Sequence, residues 1–163
     1  MSRRTLYEDI ALAVVLAGLG TAEVWVPFSS RQGTGSAPYT TLAVVLACAP
    51  LALRRVVPLA AAVATFVTFP VLNEFGDVYI LFYGTFVPMG VATYSVARHG
   101  RGREPLYGAA LAAGLLLYID LFVPLLQAPG EKLFHWSVFA LIWLAGSGLR
   151  RTRALDRGRA GRR

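Results

Sequence analysis

Long apolar blocks separated by short polar or charged clusters dominate the pattern of this chain. The most informative block covers residues 49–72, in which Arg54 and Arg55 stand alone between two apolar segments. Arginine side chains are costly to place in hydrocarbon, so we predict a tight helical hairpin with both arginines at the membrane surface. Pro58 would then lie in the first turn of the next helix, where its missing N–H costs nothing.

The same pattern predicts six apolar helices. They cover residues 7–28, 38–53, 56–72, 78–97, 105–127 and 133–149, and a basic tail follows at 150–163. A helix needs about 20 residues to cross the hydrocarbon core, and the second, third and sixth segments are near the lower limit. The fold class predicted is therefore an all-α integral membrane protein with six transmembrane helices. An alternative topology makes the second and third segments one re-entrant pair and leaves four spanning helices.

The positive charges predict the orientation. In the six-helix topology, 14 of the 16 Lys and Arg residues fall on the side of the amino terminus, and only Arg31 and Lys132 fall on the other. Because Lys and Arg are enriched in cytoplasmic loops, both termini are predicted to be cytoplasmic, in a multi-pass protein of the plasma membrane. The chain is 56% hydrophobic and 15% charged, which supports this class over a soluble domain. The net charge of +7 lies where helices end, so we expect membrane lipids, not nucleic acid, as its partner.

The first apolar block also has features of a signal peptide, namely a basic start and a small-residue site at 20–22. Glu8 and Asp9 interrupt the basic region, however, and the apolar run continues past Ala22 to Phe28. We therefore expect a retained first helix. The one cysteine, Cys48, lies within an apolar segment and is expected to be a small buried residue.

Two carboxylates, Glu23 and Asp120, lie inside predicted helices, where an ionised side chain costs about 3 kcal/mol. By rise per residue, both fall roughly 20 Å from the cytoplasmic ends of their helices. His135 lies slightly further out on the last helix. The three residues are a candidate site for a cation, a proton or a cationic ligand, with a histidine that titrates near neutral pH. The alternative is that each is separately hydrated at the lipid–water boundary.

Sequence signatures of catalysis are missing. The chain has no phosphate-binding glycine loop, two histidines and one cysteine, and no serine with a base at a triad-like position. We therefore expect no enzyme activity, no metal site and no cofactor. The arginines at the hairpin and after the last helix are expected to contact lipid headgroups or a partner protein; they are Arg54, Arg55, Arg150, Arg151 and Arg153.

Three stretches carry a family pattern. Residues 51–60 are Leu-Ala-Leu-Arg-Arg-Val-Val-Pro-Leu-Ala, residues 92–99 are Ala-Thr-Tyr-Ser-Val-Ala-Arg-His, and residues 146–155 are Gly-Ser-Gly-Leu-Arg-Arg-Thr-Arg-Ala-Leu. These stretches resemble parts of the amino-terminal sensor domain of actinobacterial sensor histidine kinases of the nitrate-sensor-like class. In order, they are similar to its hairpin, to the helix end before its basic loop and to the exit from its last helix. The resemblance covers nearly the whole chain.

The resemblance implies a membrane-embedded sensory or input domain of a two-component system. Such a domain detects a signal in or near the membrane, forms a homodimer and passes the signal to a kinase. In that family a phosphoacceptor-histidine helix and an ATP-binding domain follow. Here the sequence ends at Arg163, and neither His99 nor His135 lies in an acceptor-like context, so no kinase residue is carried over.

Two other functions remain open on the sequence. One is a small transporter or channel-like protein, with Glu23 and Asp120 lining a path. The other is a membrane adaptor subunit of a larger complex.

Overall fold

Six α-helices make up most of the chain. The computed structural model describes residues 3–26 and 28–160, and within the last helix it describes side chains as far as Thr152. The helices are α1 (Arg3–Trp25), α2 (Ala37–Cys48), α3 (Pro58–Asn73), α4 (Val87–His99), α5 (Glu104–Phe122) and α6 (Pro129–Ala160). Three short segments extend or join them: a 3₁₀ helix at Ala49–Leu53, a π-helix at Phe82–Phe86 and a 3₁₀ helix at Pro124–Leu126.

The fold is all-helical, as the sequence predicts. Within the described ranges, β-type pairing is limited to a single antiparallel bridge between Gln32 and Ile80. Three helices are long and apolar enough to cross a membrane, at Arg3–Trp25, Glu104–Phe122 and Pro129–Thr152, and two shorter apolar helices lie at Ala37–Leu53 and Pro58–Asn73. Large apolar side chains such as Leu117 and Leu141 are exposed on the outside of the bundle. These features indicate a membrane protein, because such side chains suit lipid contact.

The helix bounds differ from the predicted segments by several residues at some ends. Residues 78–81 are extended and not helical, so the helical part of the fourth segment begins at Phe82. Helix α5 ends at Phe122, five residues before the predicted end, because Pro124 cannot continue it. Helix α6 begins at Pro129 and continues to Ala160, through most of the predicted tail.

A π-helical turn precedes α4. The N–H of Phe86 bonds to the Leu81 carbonyl at 3.4 Å, and the N–H of Val87 bonds to the Phe82 carbonyl, so the register here is i to i−5. Pro88 follows in the first turn of α4 and has no N–H to offer. A wider turn beside a proline is a common local adjustment of helices, and it changes which backbone groups point out of the turn.

Helix α4 is the most enclosed element of the second half of the chain. It packs against α3, α5 and α6, and eight of its 13 residues are buried. Helix α1 instead packs against α2, the 3₁₀ helix at Ala49–Leu53 and the π-helix. The π-helix, which leads into α4, is thus the element through which α1 contacts the second half of the chain, and the candidate site begins at this contact.

Candidate functional site

Glu23 joins α1 to the start of the π-helix. Its carboxylate is fully buried and accepts three backbone N–H groups: Phe82 at 2.9 Å, Tyr83 at 2.7 Å and Gly84 at 3.0 Å. The hydroxyl of Ser30 donates a fourth hydrogen bond to the same carboxylate. Four donors satisfy a carboxylate, so Glu23 is held as a structural clamp across about 60 residues of sequence.

The Glu23 carboxylate caps the N-terminus of the π-helix, which has no cap from its own side chains. Leu81 stands at the N-cap position of the π-helix and has no side chain that can cap it. The free N–H groups and the helix dipole at an N-terminus favour an anion there. Glu23 provides that anion from α1, and the cap in turn provides the polar partners that a buried carboxylate requires.

Two glycines bring the backbones close enough for this contact. A Cβ atom added to Gly20 would lie 2.5 Å from the Gly84 Cα atom and 2.7 Å from a methyl group of Val44. Such distances are not tolerated, so only glycine fits at position 20 with the present packing. Glu23 lies three positions after Gly20, on the same face of α1. Gly20 and Gly84 therefore set the distance at which the carboxylate meets the N–H groups.

Two adjoining cavities lie near the Glu23 clamp, between α3, α4, α5 and α6. The first has a volume of about 300 Å³ and extends towards Asn73 and Pro124; the second has about 230 Å³ and extends towards Ser30 and His135. The wall between them is lined by residues common to both; they are Ile80, Thr85, Met89, Leu115, Ile119 and Leu126. The linings are mostly apolar and aromatic, as in small-molecule sites.

Two polar atoms that line the second cavity are buried and unsatisfied. His135 is 7% exposed, and its Nδ1 atom has no hydrogen-bond partner in the described part of the chain; the same holds for Oγ1 of Thr85. The Nε2 atom of His135 faces the Glu131 carboxylate at 3.8 Å. The ring of His135 lies 5.3 Å from that of Phe86 and 5.7 Å from that of Phe134. Buried polar groups are usually bonded, so these two atoms mark the polar part of the cavity.

The three residues that the sequence grouped as one ion or ligand site have different partners in the structure. His135 lines the second cavity, whereas Glu23 and Asp120 line neither of the two. Asp120 is half-buried near the end of α5 and accepts the indole N–H of Trp136 at 2.9 Å. Within the described residues, no three His, Cys, Asp or Glu side chains gather as they would around a metal ion. Of the three candidates, His135 is the one that faces an open space.

A second buried charge cluster lies at the other end of α1. Asp9 is fully buried, with Arg54 Nε at 2.9 Å from Oδ1 and Arg55 Nε at 3.1 Å from Oδ2; only the first of these contacts has the angles of a hydrogen bond. Arg55 also approaches Glu8 at 3.6 Å. We call these four residues the Asp9 cluster. The two arginines of the hairpin, expected to contact headgroups or a partner, are thus turned towards α1.

The arginines expected to contact headgroups or a partner at the end of the chain lie in the last turns of α6. Arg150 is half-buried and Arg151 is exposed, and both lie on the continuous helix. The side chain of Arg153 lies outside the described residues. Headgroup or partner contact by these arginines stays a prediction.

Sequence reasoning missed Asp9, Thr85, Gly20 and Ser30. One signal was available for Asp9. Two adjacent arginines without a polar loop need counter-charges, and Glu8 and Asp9 lie near the start of the first helix. No comparable signal exists for Thr85 or Ser30, because a single hydroxyl residue in or beside an apolar block does not reveal which group it contacts.

The family described as "Domain of unknown function (DUF7134)" matches residues 1–154. No curated protein and no solved structure matches the chain.

Proposed function

The chain belongs to the DUF7134 family, and we propose that it is a non-catalytic, membrane-embedded input domain similar to the sensor domains of two-component histidine kinases. One observation carries the proposal: the helix that lines the second cavity with His135 and Phe139 runs without a break to Ala160. A single rigid element thus connects a ligand-sized cavity to the far end of the bundle.

The length of α6 supports a role in transmission. Its 32 residues span about 48 Å, which exceeds a hydrocarbon core of about 30 Å. The helix packs along α4, and Phe139 of α6 contacts Phe66 and Phe86 edge to face in the core. A ligand that changes the packing of α6 at the cavity would change the position of its last turns. Shifts of helices by 1–2 Å are a common form of such signals.

The proposal places six helices across the plasma membrane, with both termini in the cytoplasm. Asp9 and Glu23 lie 14 positions apart on α1, or about 21 Å. The hairpin at Arg54 contacts Asp9, and Thr40 at the start of α2 accepts the N–H of Tyr79, in the segment leading to the clamped helix. The hairpin of α2 and α3 therefore reaches as deep as α1, which supports two crossing helices over a re-entrant pair.

The resemblance supplies the partners of the proposal. The input domain forms a homodimer and delivers its signal to a kinase or to a larger membrane complex. A transporter with Glu23 and Asp120 on its path has less support, because four donors hold Glu23 and neither carboxylate lines a cavity.

The test fills the cavity and measures the far end of α6. Ile119→Trp places a large side chain into the wall shared by both cavities, and Leu117→Trp adds the same side chain on the exposed face of the same helix. Spin labels at Leu106→Cys and Arg151→Cys, both exposed positions, report the distance between α5 and α6 in nanodiscs by electron–electron double resonance.

An input domain predicts a shift on the order of 1–2 Å in that distance for Ile119→Trp and none for Leu117→Trp. Equal distances in the two variants would contradict the proposal. A genomic neighbour that encodes a separate kinase core or a response regulator would support it independently.

A further inference from the structure

We infer that the two adjoining cavities form one binding site for a lipid-soluble phenol or quinol, with its ring beside His135 and its apolar chain in the first cavity. This inference names the ligand class of the proposed input domain and so rests on that function, but its test is binding alone. The site is defined by the unbonded Nδ1 of His135 and Oγ1 of Thr85 in the second cavity.

The hydrogen-bonding capacity of the two atoms selects a hydroxyl group. A neutral imidazole carries one proton, and the Glu131 carboxylate 3.8 Å from Nε2 favours the tautomer with the proton on that nitrogen. The Nδ1 atom is then an acceptor and needs a donor from the ligand. The Thr85 hydroxyl can donate or accept, so a ligand hydroxyl has both the donor and the acceptor that the two atoms lack. An ether or a hydrocarbon cannot donate to Nδ1.

The surroundings select an aromatic ring on that hydroxyl. Phe86 lies 5.6 Å from Phe134, and its ring meets Phe139 edge to face at 5.2 Å. Flat rings pack against such walls in stacked or edge-to-face arrangements. Glu131 is the acid at this cavity and its side chain is 45% exposed. A negatively charged ligand would be repelled there, whereas a neutral phenol would not.

The first cavity accounts for the apolar chain. It adjoins the second across Thr85 and Ile119, and its lining includes Phe69, Leu115 and Phe122. Its volume of about 300 Å³ is at the lower end for a small-molecule site. A ring with a chain of several carbons would occupy both cavities, and the chain would leave its hydroxyl next to His135.

The experiment titrates 4-pentylphenol into the full chain in nanodiscs by calorimetry, with empty nanodiscs subtracted. The comparison ligand is 4-pentylanisole, which has the same ring and chain but no donor. We expect saturable binding of the phenol that is about 3- to 10-fold tighter than any binding of the anisole, as one neutral hydrogen bond provides. Equal affinities, or no saturable binding of either, would overturn the inference.

Matched variants locate the site. Thr85→Val removes the hydroxyl at nearly constant shape, and His135→Phe removes the acceptor while keeping a ring. Each should weaken the phenol about 3- to 10-fold. His135→Phe should leave the anisole unchanged, because the ether has no proton to donate to Nδ1, whereas its oxygen can still accept from Thr85. Thr68→Val is the control, because Thr68 is half-buried in α3, bonds to the Ala64 carbonyl and lines neither cavity. Phenol binding unchanged in Thr85→Val would contradict the site even if His135→Phe failed to fold.

A second ligand distinguishes the sources of this chemistry. Decylhydroquinone, kept reduced without oxygen, represents a membrane quinol. Tighter binding than 4-pentylphenol assigns the site to a quinol, and weaker but saturable binding assigns it to a monophenol. Binding without movement of α6 would support the site and contradict the input function. Movement of α6 in Ile119→Trp, together with no phenol binding to the unsubstituted protein, would support the input function and contradict the phenol site.

Discussion

The carboxylate of Glu23 accepts the backbone N–H of Gly84 at 3.0 Å, so a side chain near the end of the first helix caps a helix that begins 59 residues later. The contact is possible because Gly20 and Gly84 leave no side chains between the two backbones. It attaches the first half of the chain to α4, the helix on which α3, α5 and α6 pack.

Loss of the charge at this clamp should destabilise the bundle. In Glu23→Gln an amide NH₂ can replace the carboxylate oxygen that accepts from Tyr83 and Gly84. The NH₂ group is itself a donor, so it cannot accept these two N–H groups. We expect a loss of about 2–4 kcal/mol in the free energy of unfolding, since bonds to a charged group each contribute about 1.5–3 kcal/mol. SDS titration in mixed micelles measures it.

The control for this prediction is Glu74→Gln, which removes a carboxylate that is exposed in the loop after α3. A change below about 0.5 kcal/mol is expected there. Equal losses in the two variants would show that the Glu23 contacts contribute nothing particular to stability.

The glycine contact predicts a steric effect on the same helix. Gly20→Ala puts a methyl group 2.5 Å from the Gly84 Cα atom, so α1 and the π-helix must separate. We expect a loss of about 1–3 kcal/mol. Gly18→Ala, two positions away, meets nothing within 4 Å and should be neutral or stabilising by up to about 1 kcal/mol because alanine favours helix. Thermal unfolding of both variants in the same detergent tests the pair, and a greater loss at position 18 would contradict the packing.

The Asp9 cluster predicts that one buried acid is essential to the hairpin. Asp9→Asn leaves Arg54 and Arg55, which are 15% and 30% exposed, without their buried partner. Removal of one partner from a buried ion pair costs about 3–5 kcal/mol, because the remaining charge is uncompensated. We expect a loss towards the lower end of that range, since both arginines reach some solvent.

Glu8→Gln is the matched control, because Glu8 contacts Arg55 from the surface with a side chain that is 49% exposed. Such pairs contribute about 0–1 kcal/mol. A double-mutant cycle of Asp9→Asn with Arg54→Gln should give a coupling energy well above that of Glu8 with Arg55. No difference between the two couplings would argue against a buried cluster.

Much of the fold could be predicted from apolar blocks, because long runs without charge leave helix as the only way to satisfy the backbone in lipid. The segment at residues 78–81 could not, since hydropathy is the same for an extended strand and a helix. It is extended because Ile80 exchanges two 3.0 Å backbone bonds with Gln32 and because Tyr79 donates to Thr40. Gln32 is 48 residues from Ile80 and Thr40 is 39 residues from Tyr79, so no local pattern reveals either contact.

The sequence predicts the depth of the candidate site residues but not their partners, because the direction of each side chain around its helix axis is not in the pattern. Rise per residue gives the depth of a side chain but not the direction in which it points around the helix axis. Depth alone grouped Glu23, Asp120 and His135, whereas the structure gives Glu23 to the π-helix and Asp120 to Trp136. His135 lines the second cavity, and its ring lies beside those of Phe86 and Phe134.

In the function that we propose, α6 connects an extracytoplasmic cavity to the cytoplasm, and chemical labelling of both ends of this helix tests that connection. Gly130→Cys lies at the cavity end, where an added Cβ meets nothing within 4 Å, and Arg151→Cys is exposed at the other end. The native Cys48 is buried, so the unsubstituted protein serves as the unlabelled control. We expect a membrane-impermeant maleimide to label Gly130→Cys in intact cells and to label Arg151→Cys only after permeabilisation. Labelling of Arg151→Cys in intact cells, or of both positions from the same side, would contradict it.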